Sequence, residues 1–511
     1  MKGDFSRITF DPANHFSRVL NQQGRVTLDA DFNEQADILL HLMRTLARDL
    51  FGRYGGPVDG GGFGLIFNPP YDPKNPKNNL NLYVDGGHYY VDGILCESEG
   101  CYYGSQPDAL PVPNADPLAS DPALEWLKNP NQNTAVWIYL DVWERHITRI
   151  EKDAIREVAL GTGNVDSCTR AKVVWQIRAL TWSTDWKIKP TDPAACAYPL
   201  DQLPSSTARM AAQLATGVQI KDACSIAPDA KYRGAENQLY RVEVHRGSAA
   251  GESGSPTFKW SRDNGSVATS WLGTEGNDLI VASARGFAAG CWVELSHDAL
   301  DLNGQPGTLV KLAQVAGDRL SVDSGSGPGP VPWTAQLVNP KIRRWDQSEN
   351  DDIVLDEGAV PIIESADSTD PTWIDLEDGI QVWFESGGIY HSGDYWLIPA
   401  RVATGGIEWS SDAENSLLKP PRGIRHHYAP LGILNWDAKN NVPVISSCRS
   451  CNQTSPAVCA PPSPPPKVLL HAGPLKPASM AGRTTAAAKP KSAGDTGRSA
   501  KGRSHVRGRK P

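Results

Sequence analysis

The stretch Gln22-Gln-Gly-Arg-Val-Thr-Leu-Asp-Ala-Asp-Phe-Asn-Glu-Gln35 combines a turn, an alternating segment and the start of a helix. Gly24, between the polar residues Gln23 and Arg25, is typical of a turn. Apolar and polar residues then alternate over 26–30, which predicts a short strand. The stretch therefore indicates a strand-to-helix junction around which the N-terminal part of the chain is organised.

An apolar period typical of a helix follows this junction. Asp31, with Glu34 three residues later, resembles a capping box, and Gly52 suits the position just after a helix. These signals predict an amphipathic helix over 32–51, which we expect to be the docking element of the N-terminal region. Its apolar stripe consists of Leu39, Leu42, Met43, Leu46 and Leu50.

The same junction is also a candidate acidic site. Asp29 and Asp31 lie two residues apart, so a continued strand would place both carboxylates on one face, where they could bind a divalent metal or share a proton. The structural interpretation is favoured because Asp31 can serve as an N-cap that Glu34 completes, whereas Asp29 has no such role. The residues assigned to the structural junction are Gln23, Gly24, Arg25, Asp29, Asp31, Asn33 and Glu34.

The composition of the whole chain favours a mainly β, multidomain protein. A chain of 511 residues can bury several hydrophobic cores, which predicts about two to four domains. Its 47 Gly and 40 Pro punctuate many short elements, and its 16 Trp favour pleated, half-buried surfaces. These features predict a body of the β-sandwich or β-barrel type.

Three segments early in the chain are predicted strands or hairpins. Residues 134–145 are apolar or aromatic on both faces, and residues 171–182 alternate in a similar way with Val173, Trp175 and Ile177 on one face, so both are expected to be central strands. The dipeptide Asp85-Gly86 lies between two apolar runs, which predicts a β-hairpin over 81–95.

The predicted domain order places a small barrel inside a larger β domain. Four short strands about 10 residues apart within 276–324 predict an inserted barrel of SH3 or OB type, after which residues 342–345 return to the main sheet. The predicted divisions are an N-terminal strand–helix docking element (1–56), the first part of the main β domain (57–275), the inserted barrel (276–324), the second part of the main β domain (325–452) and a disordered tail rich in Pro, Ala, Lys and Arg (453–511).

Charge and hydropathy exclude several classes of function. From residue 467 onward the tail has 11 Lys or Arg against one acid, whereas the rest of the chain has 39 bases against 57 acids. The acidic body would repel nucleic acid, so no specific nucleic-acid partner is expected, and the basic tail is a tether that can contact an anionic surface. No run of about 18 apolar residues and no signal-peptide pattern occurs, which predicts a cytoplasmic protein with reduced cysteines and no membrane span.

The end of the strand over 134–145 is a second candidate site. Asp141, Glu144 and His146 lie close together in the sequence, and a histidine beside carboxylates is a general-base arrangement. Because no nucleophile motif lies nearby, ion pairing between sheet and loop is favoured over catalysis. The catalytic candidates are therefore Asp29, Asp141, Glu144 and His146, and no catalytic role is assigned to them.

A CxxC motif near the end of the body is a candidate metal site. A structural zinc site requires four ligands at family-like spacing, and the second half of such a pattern is missing, so no metal is expected. The Gly-rich segments 60–64 and 161–163 lack a phosphate-binding pattern, so no cofactor is expected either. The candidate metal ligands are Cys448, Cys451, Cys459, His426 and His427.

Long motifs of this chain resemble a bacterial domain family of unknown function. Two departures from the family pattern are Phe32 in place of the usual Trp and the longer loop over 161–166. Members of that family are encoded near phage-tail-like contractile injection systems, so the resemblance implies a part in such an assembly and carries over no catalytic residue. The motifs, which together cover about residues 1–444, include MKGDFSR (1–7), QQGRV (22–26), LDADFNEQ (28–35), DVWER (141–145), YRG (232–234), ENQLYR (236–241), FKWSRDNG (258–265) and GDYWLIPAR (393–401).

The favoured function is a non-enzymatic structural or adaptor component of a phage-tail-like assembly. The resemblance and the absence of a coherent set of catalytic residues motivate this prediction. The expected partners are other protein subunits of the particle, with self-association left open, and the protein would be carried on the assembled particle. The alternative is a carbohydrate-binding module or a carbohydrate-active hydrolase, which would use Trp-rich β faces and an acid pair about 5–10 Å apart.

Overall fold

The structure of the chain is a computed structural model, and it describes most of the sequence up to residue 452. The predicted tail over 453–511 lies outside the described residues, as does Cys459. The described residues are 1–68, 70, 81–111, 121–128, 130, 134–160, 166–203, 205–215, 231–248, 254–325, 332–349, 353–365, 371–409 and 417–452.

Strands dominate the described part of the chain, which confirms the predicted mainly β class. The α-helices are α1 (Asp29–Phe51), α2 (Pro122–Lys128) and α3 (Asp298–Leu302), and short 3₁₀ helices cover Pro12–Asn14, Tyr103–Ser105, Asp153–Ile155, Val158–Leu160 and Tyr198–Gln202. The strands are β1 (Tyr54–Pro57), β2 (Leu65–Phe67), β3 (Leu82–Val84), β4 (Gly87–Val91), β5 (Ile94–Ser98), β6 (Cys101–Tyr102), β7 (Val136–Ile147), β8 (Arg170–Thr181), β9 (Met210–Leu214), β10 (Gln238–Arg246), β11 (Thr257–Ser261), β12 (Ala268–Glu275), β13 (Asp278–Val281), β14 (Trp292–Ser296), β15 (Thr308–Ala316), β16 (Arg319–Val322), β17 (Lys341–Trp345), β18 (Val360–Pro361), β19 (Glu364–Ser365), β20 (Ile374–Asp375), β21 (Ile380–Glu385), β22 (Tyr395–Arg401), β23 (Gly406–Ile407), β24 (His427–Asp437), β25 (Val442–Ser447) and β26 (Cys451–Asn452).

β7 is a central strand, as its apolar faces predict. It lies in a four-stranded sheet of order β25-β24-β7-β8 and pairs with β8 along its whole length. The prediction of a central position is wrong for β8, which lies at the edge of this sheet. β24 has no clear strand pattern in the sequence because Pro430 and Gly432 interrupt its alternation, and its pairing with β7 shifts register between these two residues.

Two further sheets share one apolar core, in the manner of the predicted sandwich-type body. One has the order β18-β11-β10-β22-β23, and the other has the order β19-β21-β20 with β9 paired to β21. Large side chains from both sheets are fully buried between them, including Tyr240, Phe258, Phe384 and Trp396. Burial of these aromatic rings stabilises the contact between the two sheets.

The small barrel is present, and it is longer than the predicted insertion. Its six strands close in the order β12-β13-β16-β15-β14-β17, so that it extends from Ala268 to Trp345. The expectation that residues 342–345 return to the main sheet is wrong. β17 pairs with β12 on one side and with β14 on the other, because closing the ring requires a sixth strand between them.

The hairpin early in the chain turns at a different dipeptide from the one predicted. β4 and β5 pair around Asp92-Gly93, whereas Asp85-Gly86 precedes β4. Asp92 and Gly93 both have positive φ angles, of 49° and 81°. A two-residue turn of type I′ requires this conformation at both positions, which explains why this Asp-Gly pair makes the hairpin.

α1 begins three residues earlier than predicted, at Asp29, and no strand forms over 26–30. Asp31 is therefore the third residue of the helix rather than its N-cap. Its carboxylate accepts a hydrogen bond from the backbone N–H of Leu28 at 2.9 Å, so it still caps the helix, from inside the first turn. Among the described residues, no helix is long and apolar enough to cross a membrane.

Candidate functional site

The junction before α1 binds the preceding segment to the first turns of the helix. Asp29 accepts a hydrogen bond from the backbone N–H of Ser6 at 2.9 Å. Glu34 accepts one from the hydroxyl group of Thr9 at 2.5 Å. Asp29, for which the sequence analysis offered no structural role, therefore fixes the chain that precedes the helix.

The turn that leads into α1 forms as predicted. The backbone N–H of Arg25 donates to the carbonyl of Gln22 at 3.4 Å, and Gly24 has a φ angle of 71°, which glycine adopts without strain. Gln23 and Asn33 are exposed. The junction thus consists of a turn, a helix cap and carboxylates that bind neighbouring backbone and side-chain groups.

The inner face of α1 is anchored to the body of the protein. Ile38 is buried, and Arg44 makes a bidentate ion pair with Glu144, at 2.8 and 3.1 Å. At the end of the helix, Phe51 stacks on Tyr90 with the ring centroids 4.5 Å apart. These contacts fix the rotation of α1 about its axis and therefore decide which side chains point outward.

The opposite side of α1 is apolar and exposed over most of the length of the helix. Five large apolar side chains on this side are between 52% and 68% exposed, namely Phe32, Leu39, Met43, Leu46 and Leu50. A contiguous apolar surface of this kind marks an interaction site in a folded protein, because exposed single apolar residues are ordinary but rows of them are not. We define the outer face of α1 as Phe32, Ala36, Leu39, Met43, Leu46 and Leu50.

A second unusual feature is a cluster of charged side chains buried between the sheets and the barrel. At its centre, Glu243 contacts Lys2 at 2.9 Å, Arg241 at 2.6 Å and Lys259 at 3.4 Å. Lys259 also contacts Glu294 at 2.5 Å. We define the buried charge cluster as Lys2, Arg145, Glu151, Arg241, Glu243, Lys259, Glu294, Asp298, Asp301 and Lys341.

The other half of this cluster contains the described carboxylates that come closest to a metal-binding arrangement. Oxygen atoms of Glu151, Asp298 and Asp301 lie within 4.8 Å of one another. However, Lys341 Nζ lies 2.6 Å from both Glu151 and Asp301, and Arg145 contacts Asp298 and Asp301. Burial raises the pKa of Glu151, but Lys341 and the hydrogen bonds from Thr148 together outweigh burial and lower the pKa to about 2. The ammonium group supplies the positive charge that a metal would bring, so these residues form an ion-pair network.

A cavity of about 140 Å³ lies beside the buried charge cluster. His146 and His245 line it, and within the described residues neither His146 Nε2 nor His245 Nδ1 has a hydrogen-bond partner. Burial lowers the pKa of both histidines to about 3, so both imidazoles are neutral at pH 7. The cavity is large enough for a few water molecules.

The structure brings two of the catalytic candidates together, since Glu144 and His146 both line this cavity, whereas Asp29 and Asp141 are not among its lining residues. Asp141 is buried, and it contacts Arg178 at 3.2 Å and His426 at 2.6 Å. Side chains alternate along β7, so Glu144 and His146 lie on the face opposite to Asp141. The carboxylates of Asp29, Asp141 and Glu144 are each held by a partner group rather than facing one another across a cleft.

Among the described candidate metal ligands, Cys448 is chemically blocked and the two histidines contact carboxylates. Cys448 forms a disulfide bond with Cys196, so the expectation of reduced cysteines is wrong for this pair. The sequence spacing gave no signal for it, since 252 residues separate the two. His427 contacts Asp92 at 2.9 Å rather than a cysteine, and Cys451 begins β26.

The tryptophans belong to the cores rather than to an open binding face. All 16 lie in the described part of the chain, and every one is buried or half-buried. Ten are buried, among them Trp137, Trp271 and Trp345. An exposed row of tryptophans of the kind that stacks against sugar rings is therefore not among the described residues.

Sequence reasoning missed the buried charge cluster, although a signal for it exists. Lys259 lies between Phe258 and Trp260 in a strand that is buried throughout, and Arg241 and Glu243 alternate with apolar residues in β10. Charged residues at buried strand positions are rare unless they are paired with one another. Such positions can be recognised in a sequence. Their partners cannot be recognised, because they lie far away along the chain.

The fold and the site define a mainly β protein with an exposed apolar helix face and a buried ion-pair cluster. One family profile matches residues 1–190 and 202–508, which is most of the chain. The protein therefore belongs to that family, which is described as a family of unknown function, DUF6519. Searches of curated proteins and of solved structures gave no match.

Proposed function

We propose that this protein is a non-enzymatic structural or adaptor subunit that docks into a larger protein assembly through the outer face of α1. The observation that carries the proposal is the exposure of Phe32, Leu39, Met43, Leu46 and Leu50 on a helix whose inner face is firmly anchored. Because these side chains are a little over half exposed, leaving them in water forgoes roughly 1–2 kcal/mol each, which binding to a partner would recover in part.

The assembly we propose is a phage-tail-like contractile injection particle, as the resemblance of the sequence motifs implies. The disulfide between Cys196 and Cys448 supports a protein that is carried out of the reducing cytosol, because such bonds persist in oxidising surroundings. In this proposal the chain is made in the cytoplasm and completes its disulfide when the particle reaches the exterior.

The hydrolase alternative lacks a supporting observation. It requires two carboxylates about 5–10 Å apart across an open cleft. Asp29 instead binds a backbone N–H, Asp141 is buried against Arg178, and Glu144 is paired with Arg44. We therefore retain the assembly subunit as the single proposed function.

Sedimentation of native particles from the source cells tests this function. The full chain with an affinity tag should co-sediment with particle proteins, and the double variant Met43→Glu/Leu46→Glu should be depleted from them at least about tenfold, because each glutamate places a charge in an apolar contact. Leu272→Glu is the matched control, since Leu272 is 54% exposed on a barrel strand and lies outside α1. Absence of the wild-type chain from large particles, or equal incorporation of the double variant, would refute the proposal.

A further inference from the structure

We propose that the cavity beside the buried charge cluster is a binding site for a phosphate-class oxyanion, either the free ion or the phosphate group of a small metabolite. No residue of the outer face of α1 is among those that line this cavity, so the site is independent of the proposed docking surface. The supporting observations are unused hydrogen-bond donors in the cavity wall, an excess of cations over carboxylates around it, and its volume.

The cavity wall contains a buried arginine that no described carboxylate neutralises. Arg343 lines the cavity from β17 and is only 9% exposed. Its guanidinium donates to the backbone carbonyl of Gly265. Glu294, its neighbour across the β14–β17 pair, instead contacts Lys259 at 2.5 Å and accepts from the indole N–H of Trp345 at 2.9 Å. A guanidinium has five N–H donors, so several of them are available to a ligand.

Two imidazole rings add further donors to the same cavity. His146 of β7 and His245 of β10 both line it, and within the described part of the chain the buried Nε2 of His146 and Nδ1 of His245 have no hydrogen-bond partner. Burial lowers the pKa of both rings to about 3, so each ring is neutral at pH 7 and can carry its one proton on the unpaired nitrogen. An oxyanion in the cavity would accept from both N–H groups and remove the cost of leaving them unpaired.

The side chains around Glu243 carry more positive than negative charge. Glu243 and Glu294 are the carboxylates in this half of the buried charge cluster. The cations that line the same part of the cavity are Lys2, Arg241, Lys259 and Arg343. Burial lowers the pKa of Lys2, and Lys259 and Arg241 add to this effect against the opposing carboxylates. Two positive charges are therefore in excess here, and a buried charge without a counter-ion is costly.

The positive excess persists over the whole lining of the cavity. In the other half of the buried charge cluster three carboxylates face two cations, which leaves one negative charge in excess there. Glu144 also lines the cavity, but Arg44 pairs with it at 2.8 Å. The surrounding side chains therefore retain one uncompensated positive charge, which favours an anion over a neutral ligand or a metal ion.

The origin of the donors indicates the chemistry of the anion. Arg343 lies in the barrel, His146 in the sheet of β7 and His245 in the five-stranded sheet, so the donors come from three separate parts of the protein. The guanidinium fork can bind two oxygens of a phosphate group side by side, which leaves its other oxygens for the imidazole N–H groups. A carboxylate offers only two oxygens in one plane, and a halide does not match the fork. The volume of about 140 Å³ has room for one such anion in place of a few water molecules.

Isothermal titration calorimetry of the full chain at pH 7.5, after dialysis into phosphate-free buffer, tests the site. Inorganic phosphate should bind once per chain with a dissociation constant below about 1 mM, whereas sodium chloride at equal ionic strength should give no binding heat. Glycerol 3-phosphate separates the two sources of the phosphate group. Binding at least as tight as that of phosphate assigns the site to a phosphate ester, and weaker binding assigns it to the free ion. Acetate that binds as tightly as phosphate, or no binding of either phosphate compound, overturns the proposal.

An arginine substitution locates the binding. Arg343→Gln should weaken phosphate binding at least about tenfold, because it removes both the charge and the fork. Arg319→Gln is the matched control, since Arg319 lies on the barrel strand β16 with its side chain 42% exposed and is not among the residues that line the cavity. This control should bind phosphate as the wild type does. A folded Arg343→Gln variant with wild-type affinity overturns the proposal.

A histidine substitution decides the question if Arg343→Gln does not fold, which far-ultraviolet circular dichroism would show. His245→Phe keeps an aromatic ring but removes its N–H donor, so it should weaken phosphate binding about fivefold. His88→Phe is its control, because His88 lies on β4 with its side chain 54% exposed and does not line the cavity. Equal affinity of His245→Phe and His88→Phe overturns the proposal, because the unpaired imidazole would then have no part in binding.

Discussion

Glu243 is the residue on which most of the buried cations converge. Burial by itself raises the pKa of its carboxyl group, but Lys2, Arg241 and Lys259 outweigh that effect and hold the pKa well below its usual range. A carboxylate in such a position is costly to desolvate and is retained because its partners are close and oriented. The sequence shows only a glutamate in a strand, since two of these three partners come from elsewhere in the chain.

Glu243→Gln is expected to destabilise the protein by about 3–5 kcal/mol, because it leaves three cations buried without their common counter-ion. The midpoint of urea unfolding followed by tryptophan fluorescence measures this loss. Asp153→Asn is the control, since Asp153 pairs with Arg156 at the surface with its side chain 77% exposed, and it should cost less than about 1 kcal/mol. Equal effects of the two substitutions would show that the buried charge cluster adds no stability.

At the scale of single elements, the periodicity of apolar residues predicts individual helices and strands, because their formation depends on residues that are close in the sequence. The helical period predicted α1, and alternation predicted β7, near their observed limits. The same apolar stripe would arise whether the outer face of α1 were buried or exposed, so its exposure could not be predicted. Closure of the barrel by β17 and the disulfide between Cys196 and Cys448 also depend on pairings across long stretches of chain, which no local pattern encodes.

The hairpin of β4 and β5 positions α1, and glycine substitutions test this coupling. A Cβ atom added at Gly93 would lie 2.0 Å from the carbonyl oxygen of Arg44 in α1, at a φ angle of 81°. Gly93→Ala should therefore cost about 2–5 kcal/mol, from the backbone conformation and the clash together. Gly24 has a similar φ angle of 71° and nothing within 4 Å, so Gly24→Ala should cost only about 1–2 kcal/mol.

Urea unfolding measures the two stabilities, and hydrogen exchange locates the change. Amides of α1 near Arg44 should exchange faster in Gly93→Ala than in the wild type, because this substitution displaces the helix. In Gly24→Ala their exchange rates should equal those of the wild type. If both variants lose the same stability and α1 remains protected, the hairpin does not position the helix.

At the scale of the whole molecule, ion pairs join parts that have separate apolar cores. The buried charge cluster takes Glu151 from the segment after β7, Glu294 and Lys341 from the barrel, and Glu243 from the five-stranded sheet. Each part also has its own core of apolar side chains. The contacts between the parts should therefore respond to pH more strongly than the cores do.

The stability of the protein should fall as the pH falls below neutrality. The folded-state pKa of His146 and His245 is lowered to about 3, whereas in the unfolded chain it is about 6.5, so the unfolded state binds more protons between these values. The contribution of the two histidines to the free energy of unfolding is then fully present above pH 6.5 and decreases below it, by up to about 1.4 kcal/mol per pH unit for each histidine.

Glu151 and Glu294, whose pKa is lowered to about 2, add a further loss of stability below about pH 4.5. Urea unfolding at pH 7.5, 6.5, 5.5 and 5.0 stays above the range in which Glu151 and Glu294 contribute, and His146→Asn/His245→Asn should reduce the slope of stability against pH. A slope that is the same in the wild type and in His146→Asn/His245→Asn would mean that both rings can take up a proton in the folded state.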